Sequence, residues 1–418
     1  MHVAQKLSNK KDFTPRRAYL CTLYDEEKSV IDEAIVIYFK SPNSFTGEDI
    51  VEFQCHGGLI VADMVLNEVL KNGVRLANPG EFSKRAFLNG KIDLSRAEAI
   101  SKLIETKSVD AAKILARQLK GELQDFVNQV RDDLVEILAF VEVNIDYAEE
   151  DLPKDLMKQI EQRLSNLIVL LKKSYDGSKA REGLIEGFRV CIVGKPNVGK
   201  SSLLNSLLNY DRAIISDIAG TTRDTIEEEV RIGTHLIKIV DTAGIRESDD
   251  AIEKIGIQRS KDAINSSDIV IAIFDNSREE DSEDRAIIKM LEESKSDKKI
   301  IKLLNKIDLD SKFDRDLLDD YLEISAKKDS GRLIEKLKEI LDANNMDDSL
   351  MLTSKRQMTS VEKTYKEIEM SKTVLNEGEL ELFAFHLNEA IREISLITKN
   401  FDRDEILDKM FGIFCLGK

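Results

Sequence analysis

Changes in the hydrophobic period divide the chain into zones. From residue 1 to about 91, short β-prone runs (Arg17 to Tyr24, Ala34 to Phe39, Asp49 to Cys55) alternate with turn signals at Gly57-Gly58, Asn78-Pro79-Gly80 and Asn89-Gly90. This predicts a small α+β domain. From Asp93 to about Asp146, apolar residues such as Leu115, Leu119, Leu123, Val127, Val130, Leu134, Ile137 and Val141 recur at helical spacing. A second amphipathic stretch covers Leu156 to Tyr175, and Pro153 falls between the two, where a break is expected. At Phe188 the period changes again. FRVCIVG, HLIKIVD, DIVIAIFD, KKIIKLLNK and YLEIS are short apolar runs that end in polar loops and alternate with helical patterns. Near-continuous apolar strands of this kind predict a parallel sheet buried on both faces. After Ser354 helical patterns return, over Glu362 to Leu375, Glu379 to Ile397 and Arg403 to Met410. The expected fold is multidomain, α/β and α: an N-terminal α+β domain over 1–91, then a helical domain over 92–187 and 342–418, interrupted by an inserted α/β domain over 188–341.

Composition narrows the class. A chain of 418 residues that is 42% hydrophobic and 33% charged has apolar material for two or three cores. The formal net charge of −16 speaks against a surface devoted to nucleic-acid phosphates, which would leave a basic stripe. The cysteines Cys21, Cys55, Cys191 and Cys415 form no CxxC clip. The start carries no signal-peptide pattern, and runs such as Ile269 to Phe274 are far shorter than a membrane span, so a reduced, cytoplasmic protein is expected. The terminal CLGK places Gly417 and Lys418 where a prenylation box needs an aliphatic residue and a permitted end, so no lipid anchor is expected there.

The inserted zone carries the chemistry. GKPNVGKS (Gly194 to Ser201) follows a predicted strand and opens a predicted helix, the context a phosphate-binding loop requires. Backbone N–H groups of Asn197, Val198 and Gly199 would surround phosphate oxygens, Lys200 would reach the β- and γ-phosphates, and Ser201, followed by Ser202, would ligate Mg²⁺. DIAGTTRD (Asp217 to Asp224) supplies Thr222 as a second Mg²⁺ ligand that senses the γ-phosphate. In DTAG, Asp241 would hold the Mg²⁺ shell and Gly244 would offer its N–H to the γ-phosphate. NKID (Asn305, Lys306, Asp308) and SAK (Ser325, Ala326, Lys327) would read guanine. Asp308 would accept from N1 and the 2-amino group, and Ala326 N–H would meet O6; adenine lacks this pattern, which selects GTP. Five elements in this order describe a Ras-like P-loop GTPase domain. Ile245 stands where Ras-like proteins carry the glutamine that orients water. A polar substitute must come from Arg246 to Lys254, where Glu247, Asp249, Asp250 and Glu253 are all candidates.

Together with NSFTGED, HGG, PGEFSKRAFLNGKIDLSRAEAI and the terminal FCLGK, these motifs resemble the MnmE (TrmE) family of GTPases that modify wobble uridines in tRNA, over nearly the whole chain. The resemblance implies an N-terminal folate-binding domain that dimerises, and G domains that meet across their nucleotide faces. It implies a potassium ion in place of an arginine finger, held by Asn197, Ser216, Ile218 and Thr221, and a water-orienting glutamate at Glu253 within EKIG. It implies a folate pocket of Glu52, Lys91 and the folded-back Lys418, with Cys415 as a pocket residue or thiol. It further implies a MnmG-like flavoprotein partner carrying FAD and NADH, in a heterotetramer or larger complex, and a one-carbon unit from 5,10-methylene-tetrahydrofolate. The product would be a carboxymethylaminomethyl or aminomethyl group at C5 of the wobble uridine. Family members open with a segment resembling A-T-P-P-G-x-G-G, which this chain does not carry, so the N-terminal domain is expected to be incomplete at its start and the gene to encode such a stretch upstream of Met1. The competing readings are a regulatory GTPase switch in ribosome assembly and a scaffold that binds GTP without turnover. The C-terminal zone shows no GXXG loop with basic surroundings, and the Mg²⁺ and switch residues are intact.

Overall fold

A computed structural model describes residues 1–146, 154–212, 228–240, 261–294, 298–343 and 350–399. The chain divides into two compact units. One comprises Met1–Ile104, Gln118–Asp151 and Met370–Lys418, the other Glu105–Arg117 and Leu152–Glu369.

The first unit opens with helix α1 (His2–Ser8) and a three-stranded antiparallel sheet of β1 (Ala18–Tyr24), β2 (Val30–Phe39) and β3 (Ile50–Gln54). Helices α2 (Leu59–Lys71) and α3 (Glu81–Leu88) follow. Burial alternates along the strands. Cys21, Leu23, Ala34, Val36 and Tyr38 join Ala4, Leu7 and Val65 in one core, while the register-paired Leu20 and Ile35 face outward. Glu81 takes a forked contact from Arg75 (2.7 and 2.8 Å) and the N–H of Asn78 (2.9 Å). The Arg75 hydrogen bonds come first among the causes that lower its carboxyl from 4.5 to about 2.

The helical zone breaks where one continuous pattern was expected. It forms α4 (Leu94–Glu105), α5 (Val109–Lys120) and α6 (Glu122–Asp146). Ser108 caps the start of α5, its hydroxyl accepting from Ala111 N at 3.2 Å. Gly121 separates α5 from α6 at φ +104, and a Cβ there would lie 2.3 Å from Arg96 Nη2. Helix α6 buries Leu123, Val127, Val130, Leu134 and Ile137 at helical spacing.

The second unit contains α7 (Lys154–Ala180), α8 (Glu182–Glu186) and a six-stranded sheet. Its strands are β4 (Phe188–Val193), β5 (Glu228–Ile232), β6 (His235–Val240), β7 (Ile269–Asp275), β8 (Lys299–Asn305) and β9 (Tyr321–Glu323), in the order β5-β6-β4-β7-β8-β9. Both faces are covered. Val190, Ile192, Ile269, Ile271 and Ile273 pack with helices α9 (Lys200–Arg212) and α11 (Gly331–Asp342). Their neighbours Cys191, Val193, Val270, Ala272 and Phe274 pack with α10 (Ser282–Glu293). Double burial is the reason these strands read as unbroken apolar runs. The expectation of a wholly parallel sheet is corrected at one edge. β5 pairs antiparallel with β6, because only Gly233 and Thr234 join them. Its sequence EEVRI alternates and so carries no apolar run. Thr234 also anchors residues 108–110: its carbonyl accepts from Val109 N at 3.1 Å and Ser108 Oγ at 3.0 Å, and its hydroxyl donates to Asp110 Oδ2 at 2.5 Å.

Helix α12 (Lys355–Asn376) starts in this unit, where Tyr365 meets Tyr175 of α7 edge-on at 6.0 Å. In the first unit, α13 (Leu380–Ser395) packs against α6 and buries Phe383, Leu387, Ala390 and Ile394.

Candidate nucleotide site

In the strand order, β4 has β6 on one side and β7 on the other. The connections leaving its neighbourhood therefore diverge, and a crevice opens beyond its carboxyl end. The loop Gly194 to Gly199 lies there and leads into α9. The cradle is a close one. A Cβ at Gly194 would meet the Ile273 carbonyl oxygen at 2.5 Å, and one at Gly199 would meet Asn305 Nδ2 at 2.2 Å. Neither glycine can be exchanged without moving backbone or a neighbouring strand end. Asn197 adopts φ +62 at the exposed tip of the loop, and Val198 is buried behind it. Ser201 and Ser202 lie in the first turn of α9, which starts at Lys200. The helix N-terminus and the loop N–H groups make this crevice fit a polyphosphate.

Lys200 Nζ donates to the carbonyls of Gly194 and Lys195, each at 2.7 Å. Burial, and secondarily the charge of Arg278, pushes its amine down to about 8. A phosphate beside it would favour the charged form and raise it again. Lys195, an unspecified position in the motif, is itself buried (6% exposed). It forms ion pairs with Asp281 and with Asp284 (3.1 Å, 2% exposed) at the start of α10. These two acids also cap α10, with Asp281 accepting from Glu283 N at 2.9 Å and from Asp284 N at 3.3 Å. Sequence reasoning missed this clamp, since its partners lie 86 and 89 residues from Lys195.

The segments expected to read guanine are joined to the phosphate loop by one side chain. Asn305, ending β8, donates from Nδ2 to the Val198 carbonyl (2.7 Å) and accepts at Oδ1 from Ala326 N (2.9 Å). The Ala326 N–H expected on guanine O6 thus holds Asn305 in this structure, and a base would have to share it. Lys306, at φ +63, donates to the Asn197 carbonyl (2.8 Å) and pairs with Asp275 at the end of β7 (2.6 Å). Burial pushes Asp275 up, but hydrogen bonds from Lys306 and Ser277 outweigh it and hold the carboxyl low. Asp308 accepts from Ser325 Oγ (2.9 Å), with Lys328 at 3.3 Å. The Ser325 bond foremost, then its own backbone and Lys328, keeps it below the usual range and so in the acceptor-only form that guanine recognition needs. Lys327 is exposed beside Ala326.

Ser216, Ile218, Thr221, Thr222, Asp241, Gly244, Glu253, Cys415 and Lys418 lie outside the described residues. In the first unit, Glu52 is exposed on β3 and Lys91 is exposed just after α3. Among the described residues no hydrogen bond or ion pair joins them. Lys91 borders an open cavity of about 420 Å³ shared with Phe87, Asp93, Arg96, Gln124 and Thr398. Among the described residues no helix is long and apolar enough to cross a membrane.

Comparison with known proteins bears on the same residues. A family model described as "GTP-binding protein TrmE N-terminus" matches residues 1–91, and one described as "MnmE helical domain" matches 94–415. The chain belongs to the MnmE family of tRNA modification GTPases. The N-terminal match begins at Met1, which lends no support to the expectation of a missing opening segment. The tRNA modification GTPase MnmE of Aliarcobacter butzleri (strain RM4018) is 59% identical over 418 residues, covering 100% of this chain and 94% of that protein. MnmE of Sulfurimonas denitrificans (strain ATCC 33889 / DSM 1251) is likewise 59% identical over 418 residues, with the same coverage. MnmE of Campylobacter jejuni subsp. jejuni serotype O:23/36 (strain 81-176) is 51% identical, again over 100% and 94%. Among solved structures, Era in complex with MgGDPNP and nucleotides 1506–1542 of 16S ribosomal RNA shares 26% identity over 43% of this chain and 66% of that one, with a TM-score of 0.28. The FeoB G-domain from Methanococcus jannaschii shares 22% over 38% and 98%, with a TM-score of 0.26.

Proposed function

We propose that this chain hydrolyses GTP between β4 and β8 and couples that turnover to modification of the wobble uridine of tRNA. The observation that carries the nucleotide half is Asn305, whose one amide holds both the phosphate loop at Val198 and the guanine loop at Ala326. Family membership carries the tRNA half. On this reading residues 188–341 form a G domain inserted between the two helical parts, 92–187 and 342–418, and the span of the helical family model across the sheet supports it.

Lys200 binds the terminal phosphates, Asp308 and Ala326 select guanine, and Glu253 orients the attacking water in place of the absent glutamine. Ser201 and Thr222 would hold magnesium, with Asp241 in its outer shell and the Gly244 N–H on the γ-phosphate. Asn197, Ser216, Ile218 and Thr221 would hold potassium. Asn197 fits that role in being exposed at the loop tip with its carbonyl already fixed by Lys306. Both cations would offset charge developing on the phosphates. In the N-terminal domain, Glu52, Lys91 and Lys418 would hold a tetrahydrofolate one-carbon donor, with Cys415 beside it; cationic side chains suit the folate carboxylates. The working unit would be a homodimer joined to a MnmG-like flavoprotein that supplies FAD and NADH.

GTP turnover measured in potassium and in sodium tests the reading, with Glu253→Ala alongside. Turnover should be faster in potassium, and the variant should keep nucleotide binding while losing most hydrolysis. Equal slow rates in the two salts would favour a simple switch, and unchanged turnover in the variant would remove Glu253 from the mechanism.

A further inference from the structure

The loop leaving β7 carries a cation that the site as described does not use. Arg278 Nη2 is buried without a hydrogen-bond partner. Its Nε stands 3.8 Å from Asp275 Oδ2. That carboxylate is already committed to Lys306 at 2.6 Å and to the N–H and hydroxyl of Ser277 at 3.0 and 2.7 Å. Of the three acids that follow Arg278, Glu279 is exposed, Glu280 meets Arg285 at 3.3 Å and Asp281 pairs with Lys195. A guanidinium offers five donors; the Arg278 side chain is 36% exposed, so solvent reaches part of it, but the Nη2 donors are buried and unfilled.

The loop is fastened to the phosphate loop on both sides of Arg278. Before it, Asp275 holds Lys306, whose ammonium donates to the Asn197 carbonyl. After it, Asp281 and Asp284 hold Lys195. The charge of Arg278 is felt at Lys200, whose own hydrogen bonds go to carbonyl oxygens. Among the described residues, Lys306 and Arg278 therefore share the carboxylate of Asp275 beside the phosphate loop, Lys200 is held by carbonyl oxygens alone, and Lys195 has two acids of its own. Like charges held together with a buried donor unfilled mark a place for an anion.

We propose that Arg278 is a ligand of the nucleotide's phosphate chain, closing the crevice from the β7 side. The proposal rests on the guanine-nucleotide reading above. Lys200 and Arg278 would then grip the phosphates from two directions, one from the start of α9 and one from the opposite loop.

The test uses the full chain as wild type, Arg278→Ala and Arg278→Lys. GDP and pyrophosphate are titrated by calorimetry, and each ligand-free protein is melted. A charge-assisted contact to phosphate predicts that Arg278→Ala weakens both ligands by about tenfold or more. Arg278→Lys should recover part of that loss. The ligand-free melting temperature of Arg278→Ala should stay level, because the side chain makes no hydrogen bond among the described residues and only a long ion pair to Asp275. Binding within twofold of wild type would overturn the proposal. So would a loss of binding accompanied by a lower ligand-free melting temperature, since Arg278 would then be holding the loop. Wild type that takes pyrophosphate but not GDP would sink the guanine reading and leave Arg278 to be decided by the pyrophosphate arm.

Discussion

The two sheets of this molecule solve opposite problems. The six-stranded sheet is covered on both faces, and β7 is buried at every residue from Ile269 to Asp275. The three-stranded sheet has one covered face, and its strands alternate, with Leu20 and Ile35 turned outward as a register pair. The difference shows where precision comes from. Double burial fixes the ends of β4, β7 and β8 to one another, so that residues far apart in sequence, Gly194, Asp275 and Asn305, meet at one crevice. The single-faced sheet offers surface instead of a crevice, and the residues expected to bind folate there, Glu52 and Lys91, are both exposed.

The largest expected effect lies in the crevice. Lys200→Ala should lower GTP turnover by roughly 10²–10³-fold, as removing a preorganised group that stabilises developing charge does elsewhere. Retained turnover would mean that phosphates bind outside this loop. Stability comes next. Phe274→Ala, in the fully buried strand, should cost about 3–5 kcal/mol. Leu20→Ala, on the open face, should change stability by no more than about 0.5 kcal/mol. Urea unfolding of both variants reads the contrast, and similar costs would erase the distinction drawn between the sheets. A smaller effect is expected at Glu81. Its carboxyl is lowered in the folded chain, so its contribution is full above pH 4.5 and is lost as the pH falls toward 2. Solvent screening near the surface reduces that contribution to about 1 kcal/mol. Glu81→Gln should flatten the acid limb of a pH-melting series by this amount, and an unchanged limb would show that Arg75 contributes nothing net.

The same contrast governs what could be read from the sequence. That the phosphate loop, NKID and SAK belong together was legible because the motifs carry particular residue types at fixed spacing, and the structure joins them through Asn305. The parallel strands were legible because double burial writes continuous apolar runs. The antiparallel edge β5 was not, since EEVRI has neither an apolar run nor a turn signal beyond Gly233. The break at Gly121 was not read from the sequence, since it depends on φ +104 and the nearby Arg96, which periodicity does not encode. The Lys195 clamp and Arg278 were invisible for a related reason. A lysine in a variable motif position and an arginine in an acidic loop acquire meaning only when the fold brings α10 and the β7 loop against the phosphate loop.

The most direct test of the account exchanges the base. On the proposed reading Asp308 would accept two hydrogen bonds from guanine, whereas asparagine would present a donor that suits the 2-oxo group of xanthine. Turnover of GTP, ATP and XTP should be measured for wild type and Asp308→Asn. The account predicts that wild type uses GTP over ATP, and that the variant loses GTP by roughly 10²-fold or more while gaining XTP, because a mismatched buried polar group is left unpaired. A variant that still prefers GTP would contradict it, and the crevice between β4 and β8 would then not be where guanine is read.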